Sequence, residues 1–113
     1  MTVQLRRVYD QPSDGDGLRV LVDRLWPRGL TKERAAVDLW LKEVAPTTEL
    51  RRWFHHEEQS FDEFARRYRA ELADNPAVAE LRRVVAEHPV VTLVYGAQDP
   101  VHNQAAVLRD LLA

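Results

Sequence analysis

The sequence predicts a small α/β domain in which helices flank a mostly parallel central sheet. Two apolar, β-branched runs, residues 18–23 and 90–95, are typical of strands buried on both faces. Segments with helical periodicity and capping signals lie between these runs and after the second one. Strands that alternate with helices favour a sandwich around one sheet. For 113 residues, we expect a single domain, 1–113, with one hydrophobic core.

Residues 3–9 carry β-favouring side chains and predict a first strand. Residues 10–17 contain a proline and two Asp-Gly pairs, which indicate a turn. This loop is shorter than most parallel crossovers, which favours a hairpin between the first two strands. Eight residues also suffice to cross back over a short strand and give parallel pairing. Both pairings stay open at this point.

The second predicted strand, 18–23, is expected in the middle of the sheet. Alternation assigns its side chains to two faces, Leu18, Val20 and Val22 to one and Arg19, Leu21 and Asp23 to the other. Residues 31–36 predict a single helical turn capped by Thr31. Residues 37–45 fit a strand or a short helix, and we favour a strand that ends at Pro46.

Four helices are predicted in the rest of the chain. The first begins at Thr47 or Thr48 and runs to about residue 55, and the second follows a capping box that starts at Ser60 and runs to about 73. Asn75-Pro76 starts a third helix, which His88-Pro89 ends. Asp99-Pro100 is predicted to cap the last helix, to about residue 112.

Composition excludes several classes of function. The chain has no cysteine, so disulfides, thiol nucleophiles and thiolate metal sites are excluded. The net charge of −2 does not indicate a general polyanion-binding protein. The N-terminal residues lack an apolar signal core, and no apolar run approaches the ~20 residues of a membrane span. We therefore expect a cytoplasmic protein without membrane association.

Ligands of open α/β sheets bind beyond the carboxyl ends of the strands. This rule brings four segments to one rim of the predicted sheet: 9–10, 23–29, 42–46 and 95–103. Arg24 and Arg28 are candidates for binding a phosphate or carboxylate, because guanidinium groups meet such oxygens in pairs. The alternative is that Arg24 pairs with a carboxylate and holds the loop. Trp26 either stacks on a base or sugar or packs in the core.

Asp23 and His102 are the candidate catalytic residues. A carboxylate at the end of an apolar strand is partly buried, which either requires a cationic partner or raises its pKa toward acid–base use. A histidine in the first turn of a helix titrates near neutral pH. Lys42, Tyr95, Asp99 and Asn103 complete the set of candidate ligand-binding residues at this rim.

Two other clusters have simpler interpretations. Residues 55–58, His-His-Glu-Glu, lack the i, i+4 spacing of helical metal ligands, so no metal site is predicted. Five arginines offer contacts to nucleic-acid phosphates, but neighbouring acidic residues favour a solvated face. They are Arg51, Arg52, Arg66, Arg67 and Arg69.

Several blocks resemble one bacterial family. They are Asp10, Gly17, the run RVLVDRLWPRG at 19–29, WLKEVAP at 40–46, Trp53-Phe54, and YGAQD at 95–99 with Asn103. The chain is similar in these blocks to the YeaO-like branch of the domain of unknown function 488. The resemblance implies a compact cytoplasmic α/β domain and parallel pairing of the first two strands. It implies no activity. More distant members carry a cysteine-histidine-arginine cluster near the last helix, which this cysteine-free chain does not match.

The leading hypothesis is a cleft that binds a small phosphate- or carboxylate-bearing ligand, for which a nucleotide is one option. If the protein is catalytic, Asp23 or His102 would move protons while Arg24 and Arg28 stabilise negative charge. The alternative is a nucleic-acid-associated or protein-interaction module that acts through the arginines of the helices. The sequence specifies neither a cofactor nor an oligomeric state.

Overall fold

The computed structural model describes residues 2–56 and 60–113, and for residues 55 and 56 it describes the backbone alone. Within these ranges the strands are β1 (Thr2–Arg7), β2 (Leu18–Leu21), β3 (Leu39–Trp40) and β4 (Val90–Tyr95). The helices are α1 (Lys32–Ala35), α2 (Thr48–His56), α3 (Phe61–Ala73), α4 (Ala77–Glu87) and α5 (Gln104–Leu112). All strand pairs are parallel. The predicted α/β fold with a central parallel sheet is confirmed.

The strand order is β1-β4-β2-β3, so β4 occupies the centre of the sheet. Both predicted arrangements of the first two strands, hairpin and direct parallel pairing, are wrong, because β4 lies between β1 and β2 and bonds to each. The apolar run of β4 is buried almost throughout, as expected for a strand covered on both faces. The loop before β2 crosses over the start of β4, where Gly17 lies against Val90.

The sheet separates two apolar clusters. Val20 and Val22 belong to the larger cluster, which includes residues of α2, α3, α4 and α5. Leu21 and Val94 belong to the smaller cluster, which includes Ala35 of α1. The alternation predicted for residues 20–22 is therefore confirmed, and helices or loops cover both faces of the sheet.

Local signals placed most helix starts correctly. The Thr31 side chain accepts a hydrogen bond from the Arg34 N–H and caps α1, as predicted. The Ser60 hydroxyl accepts from the Glu63 N–H and caps α3. These caps depend on residues within one turn, which is why the sequence alone identified them.

Several element boundaries differ from the prediction, and β1 and β2 end at Arg7 and Leu21 rather than at residues 9 and 23. The predicted strand at 37–45 is reduced to Leu39–Trp40, and a 3-10 turn follows at Lys42–Val44. The last helix begins at Gln104 rather than after Asp99, because the Asn103 side chain accepts a hydrogen bond from the Ala106 N–H. Asp99 instead closes a separate turn in front of this helix.

A buried ion pair fixes the start of β2. The Arg19 guanidinium lies 2.6 Å from the Asp16 carboxylate, and both side chains are buried. Arg19 also donates to the carbonyl oxygens of Ala35 and Ala36 at the end of α1. The pair therefore connects β2 to the loop before it and to α1.

None of the helices in the described ranges has the length and apolar character needed to cross a membrane.

Candidate functional site

A cavity of about 410 Å³ lies beyond the carboxyl ends of β2 and β4. Its polar lining comes from the loop after β2, from α2 and from the start of α5: Asp23, Arg24, Arg51, Arg52, His102, Asn103 and Gln104. Its remaining wall is formed by Ala45, Pro46, Phe54, Phe64, Gly96 and Ala97. The cavity occupies the position that the strand-end rule predicts for a ligand site.

Asp23 is held from three sides. Its Oδ2 accepts a 2.8 Å hydrogen bond from the Gly96 N–H at the end of β4, and its Oδ1 accepts one from the Gln104 amide of α5. Its backbone carbonyl accepts a 2.7 Å bond from the Trp40 indole of β3. A Cβ at position 96 would lie 2.9 Å from Oδ2, so glycine permits the close approach. These contacts position the carboxylate at the cavity wall.

Burial raises the pKa of Asp23 from 3.8 to about 6. The hydrogen bond from Gly96, the charge of Arg51 and the hydrogen bond from Gln104 each oppose this effect by favouring the ionised form. The carboxylate is therefore largely ionised at neutral pH and titrates in mildly acidic solution. A perturbed carboxyl group in a cavity is typical of functional sites.

Arg24 has a structural role within the cavity wall. Its guanidinium donates to the carbonyl oxygens of Ala45 and Pro46, at 3.0 and 3.3 Å. The loop-holding interpretation of Arg24 agrees with these contacts, although its partners are carbonyl groups rather than carboxylates. Its positive charge nonetheless borders the cavity. Arg24 thus fixes the turn that leads into α2 and contributes to the potential in the cavity.

Arg51 and Arg52 were not predicted as cavity residues. They lie on the first two turns of α2 and are exposed. A sequence signal for Arg51 and Arg52 exists in Pro46, which lies at the strand-end rim, and in the Thr47 cap that follows it. A helix that starts at this rim places its first turns beside the same rim. Thr47 Oγ1 accepts a hydrogen bond from the Leu50 N–H. Gln104, at the start of α5, was also not predicted, because the rim segment expected from the sequence ended at residue 103.

His102 borders the cavity and Asp99 positions it. Its Nδ1 lies 3.1 Å from Asp99 Oδ2, and its ring packs against Phe61 with centroids 5.0 Å apart. Hydrogen bonds from the backbone of His102 and Val101 hold the pKa of Asp99 below its usual value. Asn103 also lines the cavity, but its buried side chain is engaged in capping α5 and bonding the Asp99 carbonyl.

Trp26 and Lys42 lie outside the cavity. The Trp26 indole donates to the Leu30 carbonyl at 2.8 Å, and its ring meets the edge of Trp40. The Lys42 ammonium lies 5.2 Å from the centroid of the Trp40 ring. Both side chains therefore support Trp40, which in turn bonds to the backbone of Asp23.

Arg28 and Tyr95 also lie outside this cavity. The Arg28 side chain is exposed, and its backbone carbonyl accepts a hydrogen bond from Tyr9. Tyr95 is buried in the core and borders a separate concavity with Arg7 and Arg109. Of the predicted site residues, the structure brings Asp23, Arg24, His102 and Asn103 together, with Asp99 directly behind His102.

The described residues include no group of three or more potential metal ligands. The His-His-Glu-Glu segment lies outside this observation, because the side chains of 55–58 are not among those described. Two of the three arginines of α3 are locally paired: Arg66 and Arg67 both bind the Glu63 carboxylate. The Arg67 guanidinium also lies 4.0 Å from the centroid of the Trp53 ring.

Comparison with known proteins identifies the family. Residues 2–113 match the family described as the inactive DUF488-N3 subclade. The chain belongs to this subclade. The domain of unknown function 488 is the group that the sequence blocks indicated, so the resemblance is confirmed.

Three proteins that are similar to this chain over nearly its whole length are described as uncharacterized. An uncharacterized protein of Mycobacterium tuberculosis is 48% identical over 110 residues, which cover 97% of this chain and 92% of the relative. A protein of Mycobacterium bovis shows the same identity and coverage. The uncharacterized protein YeaO of Escherichia coli is 44% identical over 112 residues, covering 99% and 97% of the two chains. No solved structure matches the chain.

Proposed function

We propose that this protein binds a small phosphate- or carboxylate-bearing molecule in the cavity beyond β2 and β4. The observation that carries the proposal is the presence of three guanidinium groups, those of Arg24, Arg51 and Arg52, around one concavity at the strand ends. Its volume of about 410 Å³ falls within the range of small-molecule sites, roughly 300–1,000 Å³. The cysteine-free composition supports a cytoplasmic setting for this binding.

Arg51 and Arg52 are the proposed anion-binding groups. Neither side chain makes a hydrogen bond or a salt bridge with any residue in the described ranges, so their donors are available to a ligand. Guanidinium groups bind carboxylate and phosphate oxygens through paired hydrogen bonds. Arg24, whose donors already bind two carbonyl groups, adds charge to the cavity wall.

The features of the cavity support binding rather than catalysis. The family is described as an inactive subclade, and a thiol nucleophile is absent from the sequence. Both oxygens of Asp23 already accept hydrogen bonds from the protein. We therefore assign Asp23 and His102 to ligand recognition, and we do not assign them proton transfer.

The test is a binding screen of phosphate- and carboxylate-bearing metabolites by thermal shift, followed by calorimetry. We expect saturable binding that the double variant Arg51→Gln/Arg52→Gln weakens at least about tenfold, since charged hydrogen bonds contribute roughly 1.5–3 kcal/mol each. The matched control is Arg82→Gln/Arg83→Gln, which removes two charges from α4 outside the cavity. Equal weakening by both double variants, or an absence of saturable binding, would contradict the proposal.

The nucleic-acid alternative is less well supported. Arg66 and Arg67 are bound to Glu63, so contact with phosphates would require breaking these local pairs. Such binding would fall steeply with salt concentration. Titration of the protein with a labelled oligonucleotide at several salt concentrations measures this dependence directly.

A further inference from the structure

The charges around the cavity are not uniform. Arg51 and Arg52 are exposed at the solvent side, whereas the Asp23 carboxylate is half-buried. A simple anion such as phosphate is attracted by the arginines but repelled by Asp23. A ligand that fills the cavity must therefore present hydrogen-bond donors to Asp23 as well as negative charge to the arginines. A bare anion meets only half of these requirements.

The hydrogen-bonding capacity of Asp23 specifies the kind of donor. An ionised carboxylate has about four acceptor positions, two on each oxygen. Gly96 uses one position on Oδ2 and Gln104 uses one on Oδ1. One position therefore remains on each oxygen. Two adjacent N–H groups fit two such oxygens side by side, in the way that a guanidinium group does.

The apolar wall of the cavity specifies the shape of the ligand. The rings of Phe54 and Phe64 both line the cavity and stack on each other, with centroids 4.5 Å apart and planes inclined by 27°. Phe64 is buried, whereas Phe54 is half-buried. Flat aromatic rings, including nucleobases, stack favourably on such side chains.

We infer that the ligand is a flat nitrogen heterocycle that carries an anionic group and presents two adjacent N–H donors to Asp23. A guanine mononucleotide has this chemistry, since its N1–H and its exocyclic amino group lie side by side and its phosphate supplies the charge. This inference rests on the proposed function, and it adds the ligand class and the residue that selects it. Asp23 accepts hydrogen bonds from the N–H donors of the ring, while Arg51 and Arg52 bind the phosphate.

The first experiment compares three mononucleotides by calorimetry with the wild-type protein. GMP offers both donors, IMP lacks the exocyclic amino group, and AMP lacks both donors. We expect GMP to bind about tenfold or more tightly than AMP, with IMP between them, because a bidentate pair discriminates by roughly 1–3 kcal/mol. This series requires no variant, so a failure of a variant to fold does not affect it.

The second experiment repeats the series with Asp23→Asn, whose folding is checked by circular dichroism and thermal unfolding. The amide offers one acceptor oxygen in place of two, so we expect the preference for GMP over AMP to fall to about twofold or less. The Arg51→Gln/Arg52→Gln variant weakens all three nucleotides by a similar factor. A retained GMP preference in Asp23→Asn would overturn the role assigned to Asp23.

The outcomes separate the two proposals. If the three nucleotides bind equally and Arg51→Gln/Arg52→Gln weakens each of them, the inference about the ring is wrong and the anion site stands. If the nucleotides do not bind but another acid binds in an arginine-dependent way, the inference is also wrong and the anion site stands. If no phosphate or carboxylate compound binds, both proposals fail.

Discussion

At the scale of single residues, opposing effects set the pKa of the Asp23 carboxyl group. Burial raises its pKa to about 6. The hydrogen bond from Gly96, the charge of Arg51 and the hydrogen bond from Gln104 each lower the pKa, but burial has the larger effect. The sequence indicated both possibilities, a paired carboxylate and a desolvated one, but did not decide between them. The structure contains elements of both, because amide donors rather than a guanidinium meet the carboxylate.

The Asp23 carboxyl should lower the free energy of unfolding as pH rises between its unfolded and folded pKa values. Its pKa is 3.8 in the unfolded chain and about 6 in the folded protein, so the folded state binds the proton more tightly. Between these pKa values, the free energy of unfolding of the wild type falls relative to Asp23→Asn as pH rises. We expect a change of about 2 kcal/mol, measured by urea denaturation at a series of pH values.

The control for this measurement is Asp62→Asn, which removes an exposed carboxylate from α3. It reports the effect of net charge without altering the cavity. The deciding quantity is the free energy of unfolding of the wild type minus that of Asp23→Asn. If this quantity rises with pH, or stays constant between the two pKa values, the carboxyl group is not desolvated as described.

At the scale of elements, the entry into β2 depends on one glycine. Gly17 has φ +62°, and a Cβ built there would lie 2.2 Å from the Val90 carbonyl oxygen. The sequence placed Gly17 in a turn. The positive φ and the packing of the loop across the start of β4 together explain why a larger residue is excluded.

Gly17→Ala should therefore lower the free energy of unfolding by at least about 2 kcal/mol, because backbone strain and crowding act together. Gly29→Ala is the control for strain alone, since Gly29 has φ +83° with no atom within 4 Å of the added Cβ. Gly15→Ala is the control for the added methyl group, whose nearest neighbour is 3.8 Å away. Chemical denaturation should rank the losses with Gly17→Ala the largest. A loss no larger than that of Gly29→Ala would contradict the packing explanation.

At the scale of the whole molecule, a buried ion pair connects parts that the chain order keeps apart. Arg19 joins Asp16 to the end of α1, while Asp38 accepts a hydrogen bond from the Arg19 N–H. Burial by itself raises the pKa of Asp16, but hydrogen bonds from Ser13 and Arg19 and the charges of Arg6 and Arg19 lower it overall. The ionised pair is thus part of the folded structure at neutral pH.

Arg19→Met should lower the free energy of unfolding by about 3–5 kcal/mol, because it leaves the Asp16 carboxylate buried without its main partner. The double variant Asp16→Asn/Arg19→Met removes the charge as well, so we expect it to recover part of this loss. Denaturation of both variants at neutral pH measures the difference. A double variant less stable than Arg19→Met alone would contradict the assignment of the cost to an unpaired charge.

Local patterns determined much of this protein. The apolar run at 90–95, the alternation in β2, the Thr31 and Ser60 caps, the α/β class and the family were all accessible from the sequence, since each depends on neighbouring residues or on motif identity. Tertiary structure alone decided that β4 separates β1 from β2, and that Arg51, Arg52 and Gln104 line one cavity with Asp23 while Arg28 and Lys42 do not. The physical reason is that such contacts join segments distant in the chain, and their geometry depends on the packing of the whole sheet and its helices.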